Sequence, residues 1–169
     1  GSFDETYLKK EDGALYISGR VNTSNPNKTD VYFDFPKIVS GKVKISFDLK
    51  LDIWGHTPNF KGNIFAIGDE SQNVLTVANS TGSVSGMALS GNDLLIEKDA
   101  NNHKIEITFD MDAKTYDIKV DDAERLGVEF ANSIDSLSRI KFIQDNDSVW
   151  YHWVGYLDNV TVVENPSDE

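Results

Sequence analysis

Apolar and polar residues alternate with a period of two along several stretches of the chain. Between Lys42 and Trp54 every second residue is apolar, from Val43 to Ile53, and the residues between them are polar. The stretch from His103 to Met111 follows the same rule. Successive side chains of a strand point to opposite faces of its sheet, so each stretch predicts a strand with one buried face.

Further strands follow from the same pattern. The alternation resumes from Tyr116 to Val120 after the residues Asp112 to Thr115, which predicts an antiparallel hairpin with a four-residue turn. Turn-rich stretches separate the shorter candidates, which are Ala14 to Ser18, Val31 to Phe35, Asn63 to Gly68, Asn73 to Ala78, Ser85 to Leu89, Leu94 to Glu97, Ser138 to Ile143 and Tyr156 to Val163.

No stretch has the spacing of an amphipathic helix. The best helical candidate, Ala123 to Ser138, contains Gly127 and an irregular apolar spacing, so we predict a loop with a short strand there. About ten short strands at regular spacing indicate an all-β fold of two packed antiparallel sheets, a sandwich or jelly roll. We expect residues 1–163 to form this single sandwich and the polar residues 164–169 to begin a linker, as in a monomeric module of a longer protein.

Composition narrows the range of partners. The chain of 169 residues has 16 Lys and Arg against 28 Asp and Glu, a formal net charge of −12. A surface this acidic repels nucleic acid and anionic lipid, and apolar runs of about four residues are far too short to insert into a membrane. No cysteine is present, which excludes disulfides, zinc-cysteine sites and a thiol nucleophile. The common hydrolase, zinc-protease and nucleotide-binding motifs do not occur, so we expect no enzyme activity from this chain.

Trp54 is the first candidate for ligand binding. It falls on the parity of Lys50 and Asp52, the polar face of its strand. An outward indole with polar neighbours suits the stacking of a sugar ring, and His56, Asn59 and Asp52 would add hydrogen bonds. Lys50 would bind the carboxylate if the ligand were acidic. The alternative is that the indole folds back to cover the edge of the sheet.

A second aromatic cluster precedes the last strand. Counting back from Val160 and Val162, taken as inward, places two of its side chains inward and two outward, unless a bulge near Gly155 changes the parity. The cluster consists of Trp150 and His152, predicted inward, and Tyr151 and Trp153, predicted outward. We expect these residues to contribute to ligand binding, with Trp153 or Trp150 as a second stacking platform for a sugar ring.

Asp158 is the candidate metal ligand. It shares the parity of Val160 and Val162, which predicts a buried carboxylate. Such a group must be paired, accept backbone N–H bonds or bind a cation, and calcium suits a set of oxygen ligands. The further oxygen ligands would come from backbone carbonyls or from Asp4, Glu5, Glu11 or Asp12.

Three segments resemble a known class of domain. They are Gly41 to Asp52, Ile105 to Val120 and Gly155 to Val163, which reads G-Y-L-D-N-V-T-V-V. They are similar to strands of concanavalin-like and laminin-G-like jelly-roll modules, which secreted bacterial polysaccharide lyases and glycoside hydrolases carry as carbohydrate-binding modules. The resemblance implies the same jelly roll, an extracellular location, and a structural calcium at the aspartate of the closing strand, Asp158.

These observations favour a non-catalytic module that binds a polysaccharide or oligosaccharide, with a preference for neutral glycans because of the net charge. One alternative is a cell-surface adhesion domain for a protein or host glycan. A second is a small jelly-roll polysaccharide lyase, in which Tyr151 or His152 would act as the base and Arg139 would neutralise a uronate carboxylate.

Overall fold

The computed structural model describes residues 8–11, 14–18, 31–51, 62–79, 86–89, 95–97, 101–142 and 154–166. Within these ranges the regular structure consists of thirteen strands. The strands are β1 (Leu8–Glu11), β2 (Ala14–Ser18), β3 (Val31–Ile38), β4 (Lys42–Leu51), β5 (Gly62–Gly68), β6 (Asn73–Asn79), β7 (Gly86–Leu89), β8 (Leu95–Glu97), β9 (Asn102–Asp110), β10 (Thr115–Val120), β11 (Ala123–Glu129), β12 (Leu137–Phe142) and β13 (Val154–Glu164).

The strands form two sheets that pack face to face. The seven-stranded sheet has the order β1-β2-β13-β4-β9-β10-β11, and the six-stranded sheet has the order β3-β12-β5-β6-β7-β8. Every pairing is antiparallel. The predicted class, an all-β antiparallel sandwich, is therefore confirmed.

The core fills the space between the two sheets, and strand alternation determines which residues enter it. In β4 the buried residues are those at every second position from Val43 to Leu51, as the sequence pattern predicts. Phe47 of the seven-stranded sheet makes edge-to-face contacts with Phe65 and Phe142 of the six-stranded sheet, with ring centroids 5.1 and 5.5 Å apart. Aromatic pairs in this geometry add stability beyond the area they bury, so these rings join the two sheets.

The β9–β10 hairpin is observed close to its predicted position. The turn comprises residues 111–114, and Thr115, predicted in the turn, begins β10. The Asp110 carboxylate accepts backbone N–H bonds from Asp112 and Ala113, at 3.0 and 2.9 Å. Lys114 completes the turn with a φ of 57°, a left-handed conformation that the local hydrogen bonds hold in place.

Strand β11 differs from the prediction of a mostly irregular segment. It forms one edge of the seven-stranded sheet, and its residues are exposed except for the partly buried Val128. Gly127 has a φ of +64°, and the register with β10 shifts between Tyr116 and Ile118. An exposed, bulged edge strand has no buried face and therefore no alternation for sequence analysis to detect.

A bulge in β13 also changes a prediction. The register with β4 shifts between Asp158 and Thr161, and Asn159 has a φ of 53°. Leu157 is buried before the bulge, and Val160 is partly buried after it. A parity count that crosses the bulge is wrong, so the inward assignments made by counting back from Val160 lose their basis.

The last strand extends through Glu164, one residue beyond the predicted end of the sandwich. The backbone N–H of Asn165 then donates to the carbonyl of Lys42 at 2.7 Å. Across the ranges that the structure describes, no helix has the length and apolar character that crossing a membrane requires.

Candidate functional site

The residues predicted to bind a ligand are divided between described and undescribed parts of the chain. Lys50 and Asp158 belong to described strands of the seven-stranded sheet. The remaining predictions lie outside the described residues, and their roles stay predictions; these residues are Asp52, Trp54, His56, Asn59, Trp150, Tyr151, His152 and Trp153.

Lys50 lies on the outer face of the seven-stranded sheet, where a neighbouring side chain already engages its charge. Its Nζ is 4.6 Å from the centre of the Tyr156 ring, and the two residues are cross-strand partners of β4 and β13. This distance is that of a cation–π contact. The contact places the ammonium group over one face of the ring.

Asp158 is exposed, so the prediction of a buried carboxylate is wrong. The bulge at Asn159 turns this position to the outer face of the sheet. Oδ1 of Asp158 accepts the backbone N–H of Asn159 at 2.8 Å, and the Asn159 side chain donates to Oδ2 of Asp48 at 2.7 Å.

These groups fall short of a calcium site, because calcium takes six to eight oxygen ligands. In the described part of the chain, no group of three or more histidine, cysteine or acidic side chains is arranged to hold a metal. Among the ligands predicted to accompany Asp158, Asp4, Glu5 and Asp12 lie outside the described residues, and the structure does not describe the side chain of Glu11. Calcium binding at Asp158 stays a prediction.

Three charged side chains of β4 and β9 form ion pairs on this outer face. Glu106 of β9 lies 3.1 Å from the Nζ of Lys44 and 3.5 Å from that of Lys104. Burial raises the pKa of the Glu106 carboxyl, but the hydrogen bonds and positive charges of the two lysines outweigh it and lower the pKa below 4.5. The carboxylate is therefore ionised and paired at neutral pH.

The outer face of the six-stranded sheet has a different composition. Cross-strand partners share a face of their sheet, and the register opposes Arg139 to Asp34 and Gly68, and Lys141 to Tyr32 and Ala66. Thr76 and Asn73 of β6 oppose Ala66 and Gly68. We call this set the six-stranded face; its members are Tyr32, Asp34, Ala66, Gly68, Asn73, Thr76, Arg139 and Lys141.

Arg139 is held on two sides. Its Nε and Nη2 donate to the two carboxylate oxygens of Asp34, at 2.6 and 3.1 Å. Its guanidinium carbon lies 4.5 Å from the centre of the Tyr32 ring. The hydrogen bonds and the charge of the partner keep the pKa of Asp34 below 3.8 and raise the pKa of Arg139. Both groups are therefore charged at neutral pH.

Lys141 is the second cation of this face, and it is 9% exposed. Its Nζ donates to Oδ1 of Asn73 at 2.7 Å. Its positive charge also helps to lower the pKa of Asp69, an effect that comes mainly from the backbone N–H groups of Gln72 and Ser71. A cation withdrawn from water in this way interacts more strongly with a nearby anion than an exposed lysine does.

Between the two cations and β6, the floor of the six-stranded face carries no large side chain. Ala66 is fully buried, and Gly68 is the last residue of β5, immediately before the turn that leads to β6. A Cβ at Gly68 would overlap the carbonyl oxygen of Gln72 and approach Cα of Asn73 to 2.8 Å. Position 68 therefore requires glycine for steric reasons.

This arrangement can carry out a limited range of chemistry. Two cations can neutralise a carboxylate, and the phenol of Tyr32, which is 42% exposed, can transfer a proton. Asp34 is a weak base because its pKa is lowered. Among the described residues of the six-stranded face, the phenol is therefore the best candidate for proton transfer.

Sequence analysis named Arg139 but missed its neighbours Tyr32, Asp34 and Lys141. The alternation that predicts β3 and β12 contains them. Tyr32 and Asp34 fall on one parity of β3, and Arg139 and Lys141 fall on one parity of β12. Two cations on one face of a strand in a chain of net charge −12 are the feature that would have drawn attention to this face.

Comparisons with known proteins place this fold in a recognised group. No protein-family model matches the chain, and no curated protein sequence matches it. Among solved structures, a sialidase is similar with a TM-score of 0.71 and 14% identity, over 94% of this chain and 16% of the sialidase. This chain therefore spans about a sixth of that protein.

Several alginate lyases of polysaccharide lyase family 7 are also similar. The lyase AlgAT5 matches with a TM-score of 0.64 and 10% identity, over 96% of this chain and 84% of its own. The lyase AlyA1 from Zobellia galactanivorans matches with a TM-score of 0.64 and 12% identity, over 97% of this chain and 83% of its own. The TM-scores establish a shared jelly-roll fold, and at identities this low the similarity shows the fold alone.

The comparison corrects the predicted function. Sequence analysis favoured a non-catalytic binding module and no enzyme activity. The lyases share this jelly roll over 83% and 84% of their chains, so in those proteins the same fold makes up most of an enzyme. The prediction of a non-catalytic module is therefore withdrawn.

Proposed function

We propose that this chain is a polysaccharide lyase that cleaves a uronate-containing polymer on the six-stranded face. The observation that carries the proposal is the presence of Arg139, Lys141 and Tyr32 side by side on the outer face of adjacent strands. The similarity to alginate lyases over most of their length supports it and makes alginate the first substrate to test.

In this proposal the two cations bind the substrate carboxylate. A lyase removes the proton on the carbon that bears the carboxylate, and negative charge then accumulates on the carboxylate oxygens. Donors that are already in place stabilise such charge more effectively than water does. Arg139 is held by Asp34 and Tyr32, and Lys141 is held by Asn73, so both cations are ordered before substrate arrives.

Tyr32 is the proposed proton-transfer group. In its phenolate form Tyr32 takes the proton from the carbon that bears the carboxylate, a carbon–carbon double bond forms, and the bond from the next carbon to the glycosidic oxygen breaks. The phenol so formed gives that proton to the leaving oxygen, so atoms and charge balance without water as a reactant and Tyr32 returns to its starting form. Tyr151 and His152, the bases expected from the sequence, lie outside the described residues and stay predictions.

An extracellular location follows from this proposal, because polysaccharides of this kind lie outside cells. Action as a monomer within a multimodular protein also remains part of the proposal. The preference for neutral glycans inferred from net charge is replaced by one for acidic polymers, since binding depends on the local cations of the six-stranded face.

The test is an assay for unsaturated sugar ends, which absorb ultraviolet light. The protein is incubated with alginate, other polyuronates and a neutral glucan, and we expect products from an acidic polymer alone. Tyr32→Phe should abolish product formation. Tyr156→Phe, on the outer face of the other sheet, is the matched control and should retain it. Failure to form unsaturated ends from any acidic polymer would exclude the lyase function.

A further inference from the structure

Asp34 accepts hydrogen bonds from one edge of the Arg139 guanidinium and leaves the other edge for a second acceptor. A guanidinium presents one edge through Nε and Nη2 and another through Nη1 and Nη2. Asp34 occupies the first edge with two hydrogen bonds, and Tyr32 lies against one face of the plane. The edge formed by Nη1 and Nη2 is the one that Asp34 does not use.

We propose that Asp34 is a positioning residue, which holds Arg139 against Tyr32 so that the edge formed by Nη1 and Nη2 receives the substrate carboxylate. This inference rests on the proposed lyase function. A long arginine side chain samples many rotamers, and the cost of ordering it would otherwise fall on substrate binding. The bidentate pair and the ring contact meet this cost when the protein folds.

The Asp34–Arg139 pair differs from an ordinary surface ion pair. Asp34 has a side chain 60% exposed, whereas the side chain of Arg139 is 19% exposed and contacts an aromatic ring. A bidentate geometry defines both the distance and the plane of the guanidinium, which a single contact between a lysine and a carboxylate does not. The pair carries no net charge, so it orients the substrate carboxylate more than it attracts it, and Lys141 is the second cation on this face.

The experiment measures kcat and KM for wild type, Asp34→Ala, Asp34→Asn, Arg139→Ala and the double variant Asp34→Ala/Arg139→Ala. Small misplacements of a catalytic group cost up to about 100-fold in rate, so we expect Asp34→Ala to lower kcat/KM by about 10- to 100-fold. Asp34→Asn keeps one acceptor oxygen and should lose less. The double variant should be no slower than Arg139→Ala, because Asp34 acts through Arg139.

The control is Glu106→Gln, which removes a carboxylate paired between adjacent strands of the other sheet. It should leave kcat/KM unchanged, and the melting temperatures of all variants show whether they are folded. If wild type forms unsaturated products but Asp34→Ala is as active as wild type, the positioning role is excluded while the lyase function stands. If the two substitutions act additively, the positioning role is also excluded. If wild type forms no product, both proposals fail together.

Discussion

The outer faces of the two sheets differ in how their charges are arranged. On the seven-stranded sheet, Glu106 lies between two lysines, and Lys50 covers the ring of Tyr156. On the six-stranded face, Arg139 pairs with the carboxylate of Asp34, and Lys141 donates to the amide oxygen of Asn73. On the first face one carboxylate joins two lysines of adjacent strands, whereas on the second the two cations lie on one strand next to an exposed phenol.

This difference shows that net charge alone does not identify the ligand of a protein. A formal charge of −12 argues against an acidic substrate when it is spread evenly over the surface. Electrostatic interactions between exposed charges fall off within about 10 Å at moderate salt, so a local cluster determines what binds next to it. Arg139 and Lys141 form such a cluster, and they led us to favour an acidic polymer over a neutral one.

The largest expected effect comes from a substitution in the core, which supports both sheets. Phe142 packs edge-to-face against Phe33 and Phe47, and it lies on β12 beside Lys141. Phe142→Ala should lower the free energy of unfolding by about 3 to 5 kcal/mol, because a large cavity would remain between the sheets. Urea denaturation measures this loss. Leu126→Ala is the control: Leu126 is 67% exposed, and its replacement should change stability by less than about 0.5 kcal/mol.

The next effect is on lyase activity, and it distinguishes an arginine of the six-stranded face from an arginine of the other sheet. Arg139→Ala should lower kcat on an acidic polymer by about 100- to 1,000-fold, the usual effect of losing one donor to a developing negative charge. Arg125→Ala removes the exposed arginine of β11, on the other sheet, and should leave kcat unchanged. Equal losses in both variants would contradict a site on the six-stranded face.

The buried phenol of Tyr116 makes the stability of the core depend on pH. Tyr116 is buried on the inner side of the seven-stranded sheet, and burial raises its pKa from 10.0 to about 12. Its phenol therefore stays neutral in the fold at pH values where it ionises in the unfolded chain. This contribution to stability is fully present below pH 10 and is lost as the pH rises towards 12.

Melting curves between neutral pH and pH 12 measure this loss, and Tyr116→Phe should reduce its size. Phe33→Leu, which alters a ring on the other sheet and removes no phenol, is the control and should leave the alkaline loss of stability unchanged. If Tyr116→Phe lost as much stability at alkaline pH as wild type, the loss could not be attributed to the Tyr116 phenol.

The smallest expected effect concerns the seven-stranded sheet. Glu106→Gln breaks the ion pairs with Lys44 and Lys104, and exposed pairs of this kind contribute about 0 to 1 kcal/mol. We expect a loss of stability in this range that shrinks at high salt, because ions screen the interaction. Urea denaturation at low and high salt measures it, and a loss that is independent of salt would indicate a packing defect.

Sequence patterns predict the fold well where a strand has one buried face. The alternation in β4, β9 and β10 reports directly on burial, and the observed bounds lie within a few residues of the predicted ones. The pattern fails for β11, which is exposed on the edge, and across the bulge at Asn159. In both places the local backbone departs from strict pleating, which side-chain polarity does not record.

The candidate site was predictable in part. Arg139 was identified from its chemistry, as a cation able to neutralise a uronate. Its partnership with Asp34 depends on a pairing between strands β3 and β12, which are about 100 residues apart in the chain. Strand order is a long-range property that alternation does not encode, so Tyr32 and Asp34 could not be placed next to Arg139 from the sequence alone.

The glycine at position 68 limits how this protein can be changed. Any side chain at position 68 would collide with the turn that follows. No substitution that preserves the fold can therefore add a side chain there, next to Arg139. A designer who wishes to add a histidine or glutamine to the six-stranded face has to use the other β5 position, Ala66, and make room for it. Evolution faces the same restriction. New functional side chains on this face are therefore easier to acquire on β3, β6 and β12 than on β5.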